Sequence, residues 1–283
     1  MYNLVVENGS GEKLTLTGNE EKYQIVNIEG LNPPNATINT STIVGMDGST
    51  FMSSKLENRN IVITIKITGD TESNRIQLYQ FFRTKHWCKI YYNNSHRDVY
   101  AEGYVESMEN NLFQQSQTIQ ISIVCPDPYL KAVQEIVNDI SKVLGKFTFP
   151  FSITSAGSEF STYESNRLVT IDNDGETDIG LEIRLEALGT VVYPVIYNVI
   201  TGEFFRVRIH MEKGYVIHIN TNPGKKSITA TINGNTSSYI HGVDPDSTWL
   251  SVRVGENEFT YDAQSGVELL SIEFKHRVQY EGI

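Results

Sequence analysis

The stretch Gln117-Thr118-Ile119-Gln120-Ile121-Ser122-Ile123-Val124-Cys125-Pro126-Asp127-Pro128 divides the chain. Its first eight residues alternate polar and apolar side chains, the period of a strand with one buried face. Pro126 and Pro128 lack the N–H that a sheet ladder needs, so the strand stops at Cys125. Beyond Tyr129, the residues Leu130, Val133, Ile136, Val137, Ile140, Val143 and Leu144 recur at spacings of three and four, with Lys131, Glu135, Asn138, Asp139 and Lys142 opposite. That spacing predicts a helix over 129–144, ended by Gly145. The apolar piece Phe147-Thr148-Phe149-Pro150-Phe151 then opens a segment of different composition, so two domains are expected, 1–146 and 147–283.

Upstream, Ile61-Val62-Ile63-Thr64-Ile65-Lys66-Ile67 has four isoleucines on one face, and Tyr23–Ile28, Trp87–Tyr92 and Val99–Ser107 are weaker copies of the same pattern. Ser73 can cap a short helix whose Ile76, Tyr79 and Phe82 turn inward. The first domain is therefore expected to be α+β, a sheet carrying one or two helices. Residues 30–58 differ: Gly30-Leu31-Asn32-Pro33-Pro34 and Gly45-Met46-Asp47-Gly48-Ser49 are turn formers around a short strand at Thr37–Val44. So little core-forming power inside a regular domain marks an extended arm that packs on a neighbour. Leu31, Pro33, Pro34, Gly45, Asp47 and Gly48 are its candidate oligomerisation residues.

Downstream, apolar strands at 168–171, 181–185, 191–197, 204–211, 215–219, 227–232, 249–254 and 269–274 alternate with Gly, Asn and Asp turns, the spacing of a jelly-roll-like β-sandwich. The whole chain is thus mainly β.

The net charge is −11, and residues 1–150 hold 13 Lys and Arg against 16 Asp and Glu, whereas 151–283 hold 10 against 18. Without a basic cluster, nucleic acid and anionic membrane surfaces are not expected partners. No window has the ~20 apolar residues of a membrane span and the N-terminal residues lack a signal-peptide pattern, so synthesis in a cytoplasm is expected. Cys88 and Cys125 are too far apart in sequence for a metal motif and are expected to be packed thiols.

No catalytic constellation stands out, and neither a cofactor nor a metal is expected. Asp172-Asn173-Asp174-Gly175-Glu176-Thr177-Asp178 could offer oxygen ligands to calcium, but Thr177 and Ile183 stand where an EF-hand needs Gly and Glu, and Asn-Asp-Gly is an efficient turn. His210 and His218 could pair across Gly214, though strand packing is the plainer reading. Tyr193, Tyr197, Phe205, Tyr239 and Trp249 could form a platform for sugar, which keeps a carbohydrate-binding module as the alternative function; aromatic residues in strands are more often core.

The order of the segments Ile28–Pro34, Gly45–Gly48, Arg59–Ile63, Leu78–Phe82 and Val124–Tyr129, followed by Val254–Asp262 and Val278–Ile283, resembles the siphophage-type distal tail proteins over essentially the whole chain. The resemblance implies a ring-forming N-terminal domain with a belt-like arm and an outward galectin-like sandwich. It further implies a homo-hexamer, or a dimer of such rings, at the virion tail tip, between a tail tube protein and a tail-tip hub protein and carrying receptor-binding proteins. Some members contain inserted carbohydrate-binding modules, for which this chain is too short and continuous.

Overall fold

The isoleucine alternation builds the first unit. In the computed structural model, which describes residues 2–19, 21–112, 114, 116–139, 141–145, 161–165 and 167–283, the chain divides into one unit of residues 1–134 with 279–283 and a second of residues 135–278. The first contains strands β1 (Asn3–Asn8), β2 (Lys13–Thr15), β3 (Tyr23–Glu29), β4 (Ala36–Ser41), β5 (Thr50–Leu56) and β6 (Arg59–Ile67), then helix α1 (Thr71–Phe81), then β7 (Trp87–Asn93), β8 (Asp98–Asn110), β9 (Thr118–Cys125) and β10 (Leu130–Ala132). Nine strands form one antiparallel sheet, seven of them in the order β2-β1-β7-β8-β9-β6-β3 with β10 pairing β8 and β27 (Gln279–Tyr280), while β4 and β5 pair only with each other. Ile61, Ile63, Ile65 and Ile67 of β6 are buried beside Ile119, Ile121 and Ile123 of β9, their register partners being Ile61↔Ile123 and Ile63↔Ile121. Truncating Ile63 to Ala should lower unfolding free energy by about 2–5 kcal/mol, read as an earlier urea midpoint, because β6 is central and cannot collapse around the hole.

Cys88 on β7 and Cys125 on β9 are free and buried. Burial, and secondarily their mutual proximity, pushes the Cys88 thiol up to about 12; burial also raises Cys125 to about 12, against the opposing pull of Arg59. In the unfolded chain a thiol titrates near about 8.5, so at pH 8 the folded protein should leave both unreactive toward a disulfide reagent and the denatured protein should expose both. Rapid labelling of the folded chain would contradict this.

The second unit holds β11 (Ile136–Asp139), β12 (Ser141–Gly145), β13 (Ser161–Ser165), β14 (Leu168–Asn173), β15 (Ile179–Gly180), β16 (Glu182–Ala187), β17 (Val191–Val192), β18 (Val195–Asn198), β19 (Phe204–Arg206) and β20 (His210–Met211). It continues through β21 (Val216–Asn220), β22 (Ser227–Ile232), β23 (Asn235–Ser238), β24 (Ser251–Val252), β25 (Gly255–Asp262) and β26 (Leu270–His276), and β27 (Gln279–Tyr280) returns to the first unit. A six-stranded sheet, β11-β26-β16-β21-β22-β23, faces a four-stranded one, β14-β25-β18-β19. Ile183, Leu185, Ile217, Ile272 and Phe274 of the larger sheet share one buried core with Ile171, Ile196, Phe205, Phe259 and Tyr261 of the smaller. Phe259 and Phe274 join the layers with ring centroids 5.6 Å apart. This is the expected sandwich.

The helix expected over 129–144 does not form. Residues 130–132 pair with β8 and β27, and 136–139 pair with β26. The segment is rich in Val and Ile, whose branching at Cβ favours strands, and here the available sheet edges outweigh the helical spacing. Ile136 is half-buried and Val137 exposed, alternating as a strand does. Among the described residues the unit boundary falls at 134/135, while the expected junction at 146/147 lies outside them. In α1 the cap is Asp70, whose carboxylate accepts from Ser73 N at 3.3 Å, and the inward residues are Asn74 and Leu78, with Phe82 just beyond; Ile76 and Tyr79 are exposed. His210 and His218 lie in different sheets, since β20 pairs with β17 whereas β21 pairs with β16 and β22.

Candidate interaction surface

Parity along β6 puts Arg59 on the same face as the four isoleucines, and its side chain is only 2% exposed. The guanidinium donates through Nε to Pro128 O at 2.7 Å, through Nη1 to Asn32 O at 2.8 Å and to Gly30 O, and through Nη2 to Glu281 O at 2.5 Å. Burial pulls its pKa below the usual arginine value, opposed by Cys125, Asp127 and Glu281. An arginine offers five donors in a rigid fork and keeps its charge, so it can hold several carbonyls at once. Four distant segments meet there: the residues before β4, the start of β6, the Cys125–Pro128 turn, and residues 279–283. Ile283 N also donates to Leu31 O at 3.2 Å, and Arg97 packs over the Tyr280 ring at 4.3 Å. Gly30 has φ +84°, and a Cβ there would come within 1.9 Å of Asn60 O, so this turn requires glycine.

From that knot β4 and β5 leave as a two-stranded ribbon about 20 Å long at strand rise. Beyond the ladder that pairs Ala36–Ser41 with Thr50–Leu56, Thr37 Oγ1 donates to Glu57 at 2.8 Å, Asn39 Nδ2 to Ser53 Oγ at 3.0 Å, and Glu57 N to Asn35 O at 2.8 Å. Every residue of β5 before Leu56 is exposed, and the ribbon and its tip carry Ile38, Ile43, Val44, Met46, Phe51 and Met52 at 55% exposure or more. An isolated two-stranded hairpin is marginal in water, and several large apolar side chains exposed on one element form a surface that another molecule could cover.

The six residues expected to mediate assembly separate in this setting. Gly45 and Gly48, both at φ +85°, turn the tip, and Asp47 is exposed between them. Pro33 lies against Gly282, where a Cβ would stand 2.9 Å from its Cδ, and Pro34 is half-buried at the root of the ribbon. Leu31 is buried in the first unit's own core and offers no surface. The apolar ribbon residues and Arg59 were not singled out in the sequence. The parity of Arg59 with a buried isoleucine row was the signal for the latter.

Elsewhere the candidate sites resolve into structure. Asn173 is buried, accepts from Gly175 N at 3.1 Å and donates to Thr177 O at 2.9 Å, while Asp178 accepts from Val254 N at 3.1 Å, so the acidic segment is a hydrogen-bonded turn. Among the described residues no three His, Cys, Asp or Glu side chains could hold a metal ion, and no helix is long and apolar enough to cross a membrane. Phe205 is buried against Trp249 at 5.1 Å, and Tyr239 packs on the core; Tyr193 and Tyr197 reach the surface.

Two family descriptions match in succession: phage tail protein RIFT-related domain over residues 9–125, and siphovirus-type tail component, C-terminal domain, over 174–278. The Dit (gp 19.1) protein of phage SPP1, described as a paradigm of hub adsorption apparatus in phages infecting Gram-positive hosts, superposes with a TM-score of 0.68 at 13% identity, covering 98% of this chain and 99% of that one. Chains of the phage P2 baseplate in its activated conformation, with Ca and with Sr, give TM-scores of 0.55 and 0.54 at 13% and 12% identity over 100% of both chains. At these identities the likeness is one of fold. No curated protein sequence matches the chain.

Proposed function

Since the chain belongs to the siphophage-type distal tail protein family, we propose that it is the structural hub of a phage tail tip, a ring of six copies in which the β4–β5 ribbon of each lies on the next. The observation that carries this reading is the ribbon, which exposes six large apolar side chains and whose strands pair with no strand but each other. A contact in which one surface of a subunit meets a different surface of its neighbour is heterologous, and it closes into a ring when the rotation permits. Ribbon and root together supply the protruding half of such a contact. On this reading the first unit meets the tail tube protein and the tail-tip hub protein, and the acidic second unit faces outward to carry receptor-binding proteins. The role is architectural, without catalysis.

Because both native thiols are buried, a cysteine placed on the ribbon allows a direct test. Val44→Cys, labelled at the ribbon tip with a photoactivatable maleimide, should give on illumination a ladder of covalent species ending at six chains. Monomer alone after illumination at high protein concentration, with labelling complete, would overturn the reading.

A further inference from the structure

On the outer face of the four-stranded sheet the register sets Asp262 beside Val195 beside Arg206, and Thr260 beside Tyr197 beside Phe204. Outward positions on such a sheet are normally wet, yet Val195 is only 4% exposed, because side chains rise around it as the walls of a groove of about 550 Å³. That volume lies in the range of small-molecule sites. One wall is Tyr193, set at φ +51°, a left-handed conformation that a tyrosine rarely adopts, with its N–H donating to Ile209 O at 2.9 Å and its ring edge-on to His210 at 5.2 Å. The other wall is a charged ladder. Asp244, its side chain 5% exposed, accepts from Arg208 Nε at 3.0 Å and lies 3.5 Å from Arg206 Nη1, and its second oxygen accepts from Asp246 N at 3.1 Å. Arg206 itself stacks over Phe204 at 5.1 Å, which in turn meets Tyr197 at 6.1 Å.

We propose that this groove binds a neutral oligosaccharide. The two arginines are matched by Asp244 and Asp262, so the lining has no net charge with which to draw in phosphate or a sulfated sugar. What remains is a fixed row of N–H donors and carboxylate acceptors, the complement of vicinal hydroxyls, which both donate and accept. The two tyrosines supply apolar faces for the C–H side of a pyranose ring and phenol groups for its rim. Asp244 holds both guanidinium groups in place before any ligand arrives, so little ordering is left to be done on binding. The groove lies wholly within the second unit and does not depend on the ring.

The test is saturation-transfer NMR on the full chain with neutral trisaccharides of glucose, galactose and N-acetylglucosamine, beside a sulfated disaccharide. Saturation of at least one neutral trisaccharide is expected, at least tenfold weaker in Tyr197→Ala and in Arg208→Gln and unchanged in His218→Ala, which lies on the other sheet. Equal melting temperatures establish that the variants fold. No neutral sugar saturated at millimolar concentration, binding of the sulfated sugar alone, or binding undiminished in both groove variants would each overturn the proposal.

Discussion

Introducing charge on the ribbon, as Val44→Asp with Phe51→Asp, will leave the chain as a folded monomer. Both side chains are among the most exposed large apolar groups of the protein, so the isolated subunit loses no packing and its melting temperature should hold to within about 2 °C. In the ring each would be covered by a neighbour. Losing that burial removes about 1.5–3 kcal/mol per side chain, and an unpaired buried carboxylate costs several kcal/mol more. At about 1.4 kcal/mol per tenfold, each contact weakens by more than about a thousandfold. Sedimentation across a concentration series reads this directly; assembly retained by the double variant would show that the ribbon is not the contact. An unfolded variant would show instead that the ribbon packs on its own chain.

Arg59→Ala will strongly destabilise the first unit. Four carbonyls lose their donor at once: Gly30, Asn32, Pro128 and Glu281. Hydrogen bonds from a charged donor contribute about 1.5–3 kcal/mol each and are not additive within one group, which places the net loss at about 3–5 kcal/mol. For a chain of this length that corresponds to a melting temperature lower by roughly 10 °C. Arg59→Met keeps most of the stem but none of the donors and should lose nearly as much. Arg59→Lys, with three donors on a flexible stem, should recover only part. A Met variant as stable as the parent would show that packing, rather than the four carbonyls, holds the arm root. Because the same guanidinium joins the residues before β4 to residues 279–283, the Ala variant should also be clipped faster by protease between Gly30 and Asn35.

The sheet of the first unit was legible in the chain because Ile61, Ile63, Ile65 and Ile67 alternate without interruption, a pattern only a half-buried strand satisfies. The sandwich was legible for a similar reason, although β25 escaped notice outside the family resemblance, since Glu256 and Glu258 interrupt its apolar run. The segment that forms the β4–β5 ribbon was visible as a stretch poor in core residues between Gly30 and Glu57. Its exposed apolar side chains were not. Turn formers such as Gly45 and Gly48 attract attention in a sequence, whereas Val44 and Phe51 look like ordinary strand residues until the fold leaves them uncovered. The segment from Tyr129 misled because Leu130, Val133, Ile136 and Val137 satisfy helical spacing by coincidence; local periodicity carries no information about the sheet edges offered by β8 and β26. Arg59 could have been found by parity alone, but its four partners lie 27 to 222 residues away, and no local pattern joins them.

The groove of the second unit has the same character. Tyr193 and Tyr197 were part of a five-residue aromatic set, of which the core took Phe205, Trp249 and Tyr239. Only the register of β18 with β19 and β25 brings Arg206 and Asp262 to the side of Val195.

The solution mass of the purified protein across a concentration series tests most directly whether the ribbon of one chain is buried by the next. Light scattering coupled to size exclusion should give a species near six times 31.9 kDa, or a dimer of such rings, that persists on dilution into the micromolar range. A folded species of 31.9 kDa at every concentration would contradict that burial.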